Sequence, residues 1–517
     1  MSHTEVLVVG AGPAGLAVAI GLAQLGVAVR VVDRASASKR EPRAAVVWPR
    51  AAEVLQDLRG LQGFLDRGNR LETVDVVASG RRLGRLDLGH VGAIVPWPLV
   101  IEQHDIERLL ATTLASHGVG IEWNSEVIGL EIREDGISAT VRDVNHGDDE
   151  RVVAGYVVGC EGTRSAVRDA AGIAYVGRPR PNLQVLQINA WPRWGLSAPR
   201  THGWFFLESD ASLGVFAIPG GGYRFFCFTT DPDPARTGQP SRSEMRDLIA
   251  RMTRQPELEL RPTEPEWINR ACFQDRIAAR LRAGRVLLAG DAAHAWAPIG
   301  GHGMNAGLRG AHNLAWKLAA VVRGSASDAL LDSYDLEQRR AAASVMSEMR
   351  FNVLELPLPR HIYRPVTALL PALLASTAAR RNIEHRLSDL GMNHRTSPLS
   401  VDRLPGGLRR RLHLPHAGDR VPNAPAIVDG QPGTLHQWLD YSHWTAFTTD
   451  AERLPALGQA MAGFSVAVRA MNLGTTAKPG VFMLVRPDRH IGYLSLMTDL
   501  QALPTYLRSH VSRTPLP

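Results

Sequence analysis

Residues 5–33 constrain the fold more tightly than any other part of the chain. A short β-branched run, Glu5-Val6-Leu7-Val8-Val9, leads into Gly10-Ala11-Gly12-Pro13-Ala14-Gly15, and an apolar stretch of helical character over residues 16–25 then closes at Gly26. Strand, glycine turn and helix in that order make a βαβ unit that seats a dinucleotide pyrophosphate on a helix N-terminus. Gly10 permits the tight turn, Gly12 lets the backbone approach the pyrophosphate, and Gly15 lets helix and strand pack closely. A second strand over residues 27–32 ends at Asp33, at the spacing where such folds accept a ribose hydroxyl, with Arg34 beside it. The turn by itself does not separate FAD from NAD.

The chain has 517 residues, too many for one core, and this predicts two or three domains. With 45% hydrophobic and 21% charged residues it has the composition of a globular protein. The uncharged run over residues 6–29 has the length of a membrane span, but five glycines interrupt it and no basic segment precedes it, so neither a span nor a signal peptide is expected. A net charge of +7 raises the question of nucleic acid. Lys39, Lys317 and Lys478 are the only lysines, however, and the arginines are scattered, so no nucleic-acid partner is expected. The one dense cluster, Arg409 to Arg411, reads as a solvated linker face. Cys160, Cys227 and Cys272 are far apart and form no metal or dithiol motif, which fits a reducing cytoplasm and predicts no metal site.

A second segment narrows the cofactor. The apolar strand over residues 286–289 delivers Asp291 at its end, where an open parallel sheet places ligand contacts and a carboxylate could accept ribityl hydroxyls. In the run that includes Pro298, Met304 and Asn305, the glycines Gly300, Gly301 and Gly303 then bring bare backbone to the start of a helix carrying Leu308, Ala311, Leu314, Ala315 and Leu318 at helical spacing. The N–H groups at that helix start suit the negative charge of a reduced flavin.

Residues 290–318, including Asn313, Trp316 and Lys317, resemble the signature of the group A flavoprotein aromatic hydroxylases nearly residue for residue. The run Cys160-Glu161-Gly162, with Ser165 and Arg168, resembles a further signature of that family. Arg43 resembles the arginine that reaches the flavin phosphates, Gln103 resembles a glutamine at the flavin side, and Val127 joins the cofactor set on the same resemblance. Three departures stand out: Glu161 replaces the usual Asp, Gly310 replaces an Asp, and His302 stands where Gln or an apolar residue is common.

The resemblance implies an α/β fold with a Rossmann-like FAD-binding domain over residues 1–175 and 271–393. An antiparallel-sheet substrate domain over 176–270 is inserted into it, and a linker with a thioredoxin-like domain follows over 394–517. In the last, strands are expected at 445–449, 464–471 and 481–487 and helices at 451–461 and 500–508; it holds no cysteine, so no dithiol function is expected there. The apolar stretch over residues 365–379 suggests either a lid or interface helix or a buried packing helix, the latter favoured.

Residues 176–270 are rich in strand formers and aromatics, among them Trp204, Phe205, Phe206, Phe216, Phe225, Phe226 and Phe228, broken by the turn at Pro219 to Gly222. Period-two alternation assigns two faces without saying which one meets substrate. There is no second glycine turn for a separate nicotinamide domain. The resemblance therefore implies bound FAD, NADPH or NADH as a transient co-substrate, O2, and hydroxylation of a phenolic or polycyclic aromatic through a flavin C4a-hydroperoxide. Baeyer–Villiger or epoxidising chemistry, or a non-catalytic FAD-binding protein, are the alternatives. A small aromatic substrate and a monomer or homodimer are expected, and no side-chain catalyst is assigned.

Overall fold

The computed structural model describes residues 2–38, 45–133, 135–230, 238–349, 352–472 and 480–511. Arg43, one of the expected cofactor residues, lies outside them. Three large sheets and a small three-stranded one organise the described residues.

The first large sheet is built around Ser2–Val9, whose Val6 to Val9 are buried. It pairs in parallel with Val29–Val32 on one side and Asp149–Gly159 on the other, with Val286–Leu288 parallel beyond. Val9 lies opposite both Val32 and Gly159, and Gly159 lies opposite Leu288. Four parallel strands therefore stop level. Gly10, Asp33, Glu161 and Asp291 leave the sheet along one edge, where open parallel sheets bind ligands. The uncharged run of residues 6–29 is spent on the first strand and the helix Pro13–Gln24, and no single helix among the described residues is long and apolar enough to cross a membrane. That helix begins three residues earlier than expected, because Pro13 fits a first turn where its missing N–H is no loss.

The second sheet is larger than the expected insert. Strands Tyr175–Arg193 and Ile268–Ala278 run across both expected boundaries, 176 and 270. Beyond them, His202–Leu207, the outermost strand of the inserted segment, pairs in parallel with Thr73–Ala78, which recruits Arg81–Asp87. The sheet is therefore assembled from separated segments, because backbone pairing at an open edge disregards sequence distance.

In the C-terminal region, Trp444–Thr448 pairs in parallel with Val466–Asn472 and antiparallel with Val481–Val485, which pairs with Ile491–Leu496. The helices are Leu454–Ala460 and Leu503–His510. Residues 394–433, expected as a linker, hold a helix, Gly406–Leu412, that contains the arginine cluster. They are also anchored: Ser397 donates to Glu337 at 2.5 Å. Glu337 is the hub of a buried network in which Lys317 Nζ (2.8 Å), Asn313 Nδ2 (2.8 Å) and the guanidinium of Arg486 (2.7 and 2.9 Å) all donate to its carboxylate. Arg420 and Arg489 reach Glu53 and Asp57 in the same way. The C-terminal region is thus joined to the first sheet's helices through buried charges, where pairing is essential.

The apolar stretch at 365–379 falls on Arg360–Ala375 and Thr377–Leu387. In the first of these helices only Leu370 and Leu374 are buried, while Leu369 and Leu373 are exposed. The favoured reading of a buried packing helix is therefore corrected to a surface helix anchored by one narrow stripe.

Candidate active site

A cavity of about 1070 Å3 follows the level edge of the first sheet and continues under the second. Its first part is built by the opening glycines. Gly12 is the N-cap of Pro13–Gln24, and a Cβ there would meet nothing within 4 Å, so bare backbone faces open space. At Gly10, with φ +104°, a Cβ would lie 2.6 Å from the Cys160 carbonyl oxygen. Gly15 is not on the cavity wall. Its role is contact, since a Cβ there would sit 1.9 Å from the Gly10 oxygen.

Asp33 is held by two amides, Oδ2 accepting from Ala11 N–H at 2.7 Å and Oδ1 from Ala35 N–H at 2.8 Å. Each oxygen keeps a further lone pair for a ligand hydroxyl. Arg34 is exposed, 3.7 Å from Glu126. Gln103 opens the helix Gln103–Ser116 and donates to Glu107 at 2.9 Å, whose other oxygen accepts from Ser38 at 2.6 Å. Val127 closes the wall nearby.

Farther along, Asp291 stands on a single turn, Gly290–Ala292, exposed at the cavity wall, with its backbone carbonyl accepting from the Tyr175 hydroxyl at 2.8 Å. Pro298 precedes the turn Ile299–Gly301, in which Gly300 and Gly301 have φ of +72° and +65°. Such backbone admits glycine with little strain. Gly301 caps His302–Val322, and Gly301, Gly303 and Met304 form wall at that helix start, where N–H groups and the positive dipole end are concentrated.

Asn305 is absent from the wall. Its Oδ1 accepts from Trp48 N–H at 2.8 Å, and its Nδ2 donates to the carbonyls of Val46 (2.9 Å) and Gly301 (2.7 Å). Trp48 Nε1 in turn donates to the Gly300 carbonyl at 2.7 Å. This cross-link holds two distant stretches of cavity wall together.

Glu161 is on the wall and uses its extra methylene to cap the helix Ala166–Ala170: it accepts from Val167 N–H at 2.9 Å and from the Ser165 hydroxyl at 2.8 Å. Burial raises its carboxyl above the usual range against those bonds. His302 stacks on Trp48 and lies 3.0 Å from Asp389. His294, stacked on Trp296, is pushed down to about 4 by burial and is therefore a neutral wall residue.

The rest of the cavity is aromatic. Phe205, Phe216, Phe226 and Phe228 face it, while Trp204, Phe206 and Phe225 point to the other side of the sheet and pack with Met245, Ile249 and Met252 of Arg242–Thr253. Covering one face with a helix decides which face stays open. Among these rings Arg224 is fully buried, its guanidinium 4.4 Å from the Trp267 ring centroid and 3.3 Å from Glu102, and burial brings it down to about 10.

Of the expected cofactor residues, Gly10, Gly12, Pro13, Ala14, Asp33, Arg34, Gln103, Val127, Glu161, Asp291, Pro298, Gly301, Gly303 and Met304 come together on one wall. Sequence reasoning missed Trp48, Arg224, Trp267 and Glu355 on that wall. Arg224 carried a signal, a single charge inside Tyr223-Arg224-Phe225-Phe226; Glu355 carried none. The bare backbone at Gly12 and Gly303, with a helix start behind each, fits a dinucleotide, and the volume lies at the upper end of the roughly 300–1,000 Å3 range of small-molecule and cofactor sites.

Residues 3–349 match the family model described as FAD binding domain. The chain is 31% identical to 6-methylpretetramide 4-monooxygenase of Streptomyces rimosus, over 96% of this chain and 93% of that protein. It is 33% identical to aklavinone 12-hydroxylase of Streptomyces purpurascens over 67% of this chain and 68% of that one. Among solved structures, the anhydrotetracycline hydroxylase of Streptomyces rimosus superimposes with a TM-score of 0.77 at 25% identity, covering 99% of this chain and 100% of that one.

Proposed function

The chain belongs to the flavoprotein aromatic hydroxylase family and is a flavoprotein monooxygenase, and from that premise we propose that it hydroxylates a bulky phenolic or fused-ring aromatic at the expense of NAD(P)H and O2. The observation that carries this reading is the single continuous cavity joining the glycine turns to the open aromatic face of the second sheet. Monooxygenase relatives that act on polycyclic compounds support the substrate class.

In this reading the N–H groups behind Gly12 bind the FAD pyrophosphate and Asp33 the adenosine ribose. Asp291 holds the ribityl hydroxyls, and the helix start at Gly301 to Met304 faces the pyrimidine edge, where it stabilises negative charge. Gly15 and Asn305 position these groups without touching the cofactor. Bound FAD supplies the hard chemistry, delivery of one oxygen atom of O2 to an electron-rich ring with reducing equivalents from NAD(P)H. The protein's part is to orient the ring and exclude water. Phe205, Phe216, Phe226 and Phe228 provide the apolar bed, and Arg224 over Trp267 offers a cation to a phenolic or carbonyl oxygen. The C-terminal region is read as thioredoxin-like, supported by its parallel pair followed by two antiparallel strands, and its role as structural.

The test is NADPH- and NADH-dependent oxygen uptake across simple phenols, naphthols and hydroxylated anthraquinones, with product masses. Uptake stimulated by fused-ring phenols with a product one oxygen heavier supports the proposal. Stimulation confined to single-ring phenols, or none, refutes the substrate class.

A further inference from the structure

Glu355 is a buried carboxyl that no role above employs. It follows the helix Leu330–Met349 in sequence and is tied at both ends. Its backbone carbonyl accepts from the Ser212 hydroxyl, and Ser212 pairs with Phe228 of the aromatic sheet. Its side chain accepts the Gly300 N–H through Oε2 at 2.6 Å. Glu355 thus bridges the glycine turn before His302–Val322 and the sheet that bears the aromatic bed, and it forms part of the cavity wall.

The other wall carboxyls among the described residues, Asp33, Glu107, Glu126, Glu161 and Asp291, belong to the first sheet's edge and the elements around it. Glu355 alone among them is tied to the strand Ala211–Ala217, beside the rings of the open aromatic face. Among the described residues nothing besides the Gly300 amide donates to its carboxylate. The charged group nearest in effect is His302, on the long helix, backed by Asp389 and Arg309.

The geometry points to Glu355 as the catalytic base that takes the proton of the substrate's ring hydroxyl. The step is proton transfer alone. The substrate O–H bond breaks, its electron pair stays on oxygen, and a new O–H bond forms at the carboxylate, leaving the ring more electron-rich for oxygen transfer; the proton is given up again as product leaves. Burial suits a base of this kind, because it pushes the Glu355 carboxyl up to about 7 against the opposing pull of the Gly300 amide and His302. Such a carboxyl both binds and releases a proton near neutral pH. Its ionised form predominates above that value, so kcat/KM should rise through about pH 7 and then level off.

This inference rests on the phenol-hydroxylating reading, and the experiment separates the two. Glu355→Gln keeps an oxygen for the Gly300 N–H but cannot hold the proton. In the FAD-loaded enzyme it should leave the flavin content and visible spectrum unchanged, lower kcat/KM on the plateau by about 100- to 1,000-fold, and remove the limb near pH 7. Glu355→Asp, which keeps an acid, should retain the limb with a smaller loss. A readout independent of turnover is the colour of bound alizarin, a fused-ring phenol whose spectrum reports its ionisation. Wild-type enzyme should show, besides the dye's own transition, a coupled inflection near pH 7 that Glu355→Gln lacks. Identical alizarin titrations in the two proteins would overturn the assignment. If wild-type protein oxygenates no phenol, the proposed function falls, while the alizarin comparison still judges Glu355.

Discussion

The cross-link at Asn305 allows a quantitative test of how the cofactor cavity is held. Asn305→Ala removes three side-chain hydrogen bonds, those with Trp48 N–H, the Val46 carbonyl and the Gly301 carbonyl. The Gly301 carbonyl, at the helix N-cap, keeps the helix's own amides as donors. Trp48 N–H and the Val46 carbonyl are in a buried position with no replacement, and Asn305 itself is 0% exposed, so water does not substitute. Leaving a buried backbone group unpaired costs about 1–3 kcal/mol, which gives about 2–6 kcal/mol for the two. At about 2–4 °C per kcal/mol for domains of 150–250 residues, the melting temperature should fall by at least about 4 °C. Because the cross-link joins two stretches of wall, FAD should also be released at a lower temperature in the variant. Thermal unfolding followed in parallel by circular dichroism and by flavin fluorescence measures both. Asn305→Asp should also be destabilised, since it still accepts from Trp48 N–H but turns a carboxylate oxygen toward two carbonyls. An Asn305→Ala protein that melts and releases FAD as the wild type does would refute the positioning role.

Asp291→Ala should weaken FAD binding by about 1.5–3 kcal/mol, the worth of a hydrogen bond to a charged group, seen as faster loss of flavin on dialysis; unchanged retention would show that the carboxylate does not hold the cofactor. Glu337→Gln leaves Lys317 and Arg486 buried beside a neutral partner, and should destabilise the protein by about 3–5 kcal/mol in urea unfolding; a loss below about 1 kcal/mol on that scale would mean that the network does not hold the C-terminal region. His436, whose Nδ1 accepts from Arg489 at 2.7 Å and whose Nε2–H donates to the Val421 carbonyl at 2.8 Å, is pushed by burial down to about 3. The unfolded chain binds this proton first, so stability should be lost as pH falls from 6.5 through about 3. Melting temperatures that stay level between pH 6.5 and about 5 would contradict this, and His436→Gln should flatten the fall.

The parts of the molecule that were legible from sequence are those built by local chemistry. The glycine turn at Gly10 to Gly15 and the positive-φ pair Gly300 and Gly301 require particular residues at particular spacings, so the turns they build, and the close contact made at Gly15, follow directly. The C-terminal strands came within about two residues of their expected ends for the same reason, hydrophobic runs bounded by turns. Long-range pairing was not legible. Nothing in Thr73–Ala78 announces that it lies beside His202–Leu207. Asn313 and Lys317 lie within the flavin signature, yet they serve a buried contact with the C-terminal region: Asn313 donates to Asp488, 175 residues away, and Lys317 shares Glu337 with Arg486. The hydrogen bonds of the Asn305 side chain were not legible either: the residue sits beside the glycine turn of the signature, and its partners Val46 and Trp48 are more than 250 residues away in the chain.

The central claim, that this cavity delivers one atom of dioxygen to a fused-ring phenol, is tested most directly with isotopically labelled O2. FAD-loaded enzyme, NADPH or NADH and a hydroxylated anthraquinone that stimulates oxygen uptake should yield a product heavier by one labelled oxygen, with one NAD(P)H consumed per product and the ring system intact. Label from water, or reduction of the substrate without oxygen consumption, would contradict the claim, and a ring-expanded lactone would replace hydroxylation with Baeyer–Villiger chemistry.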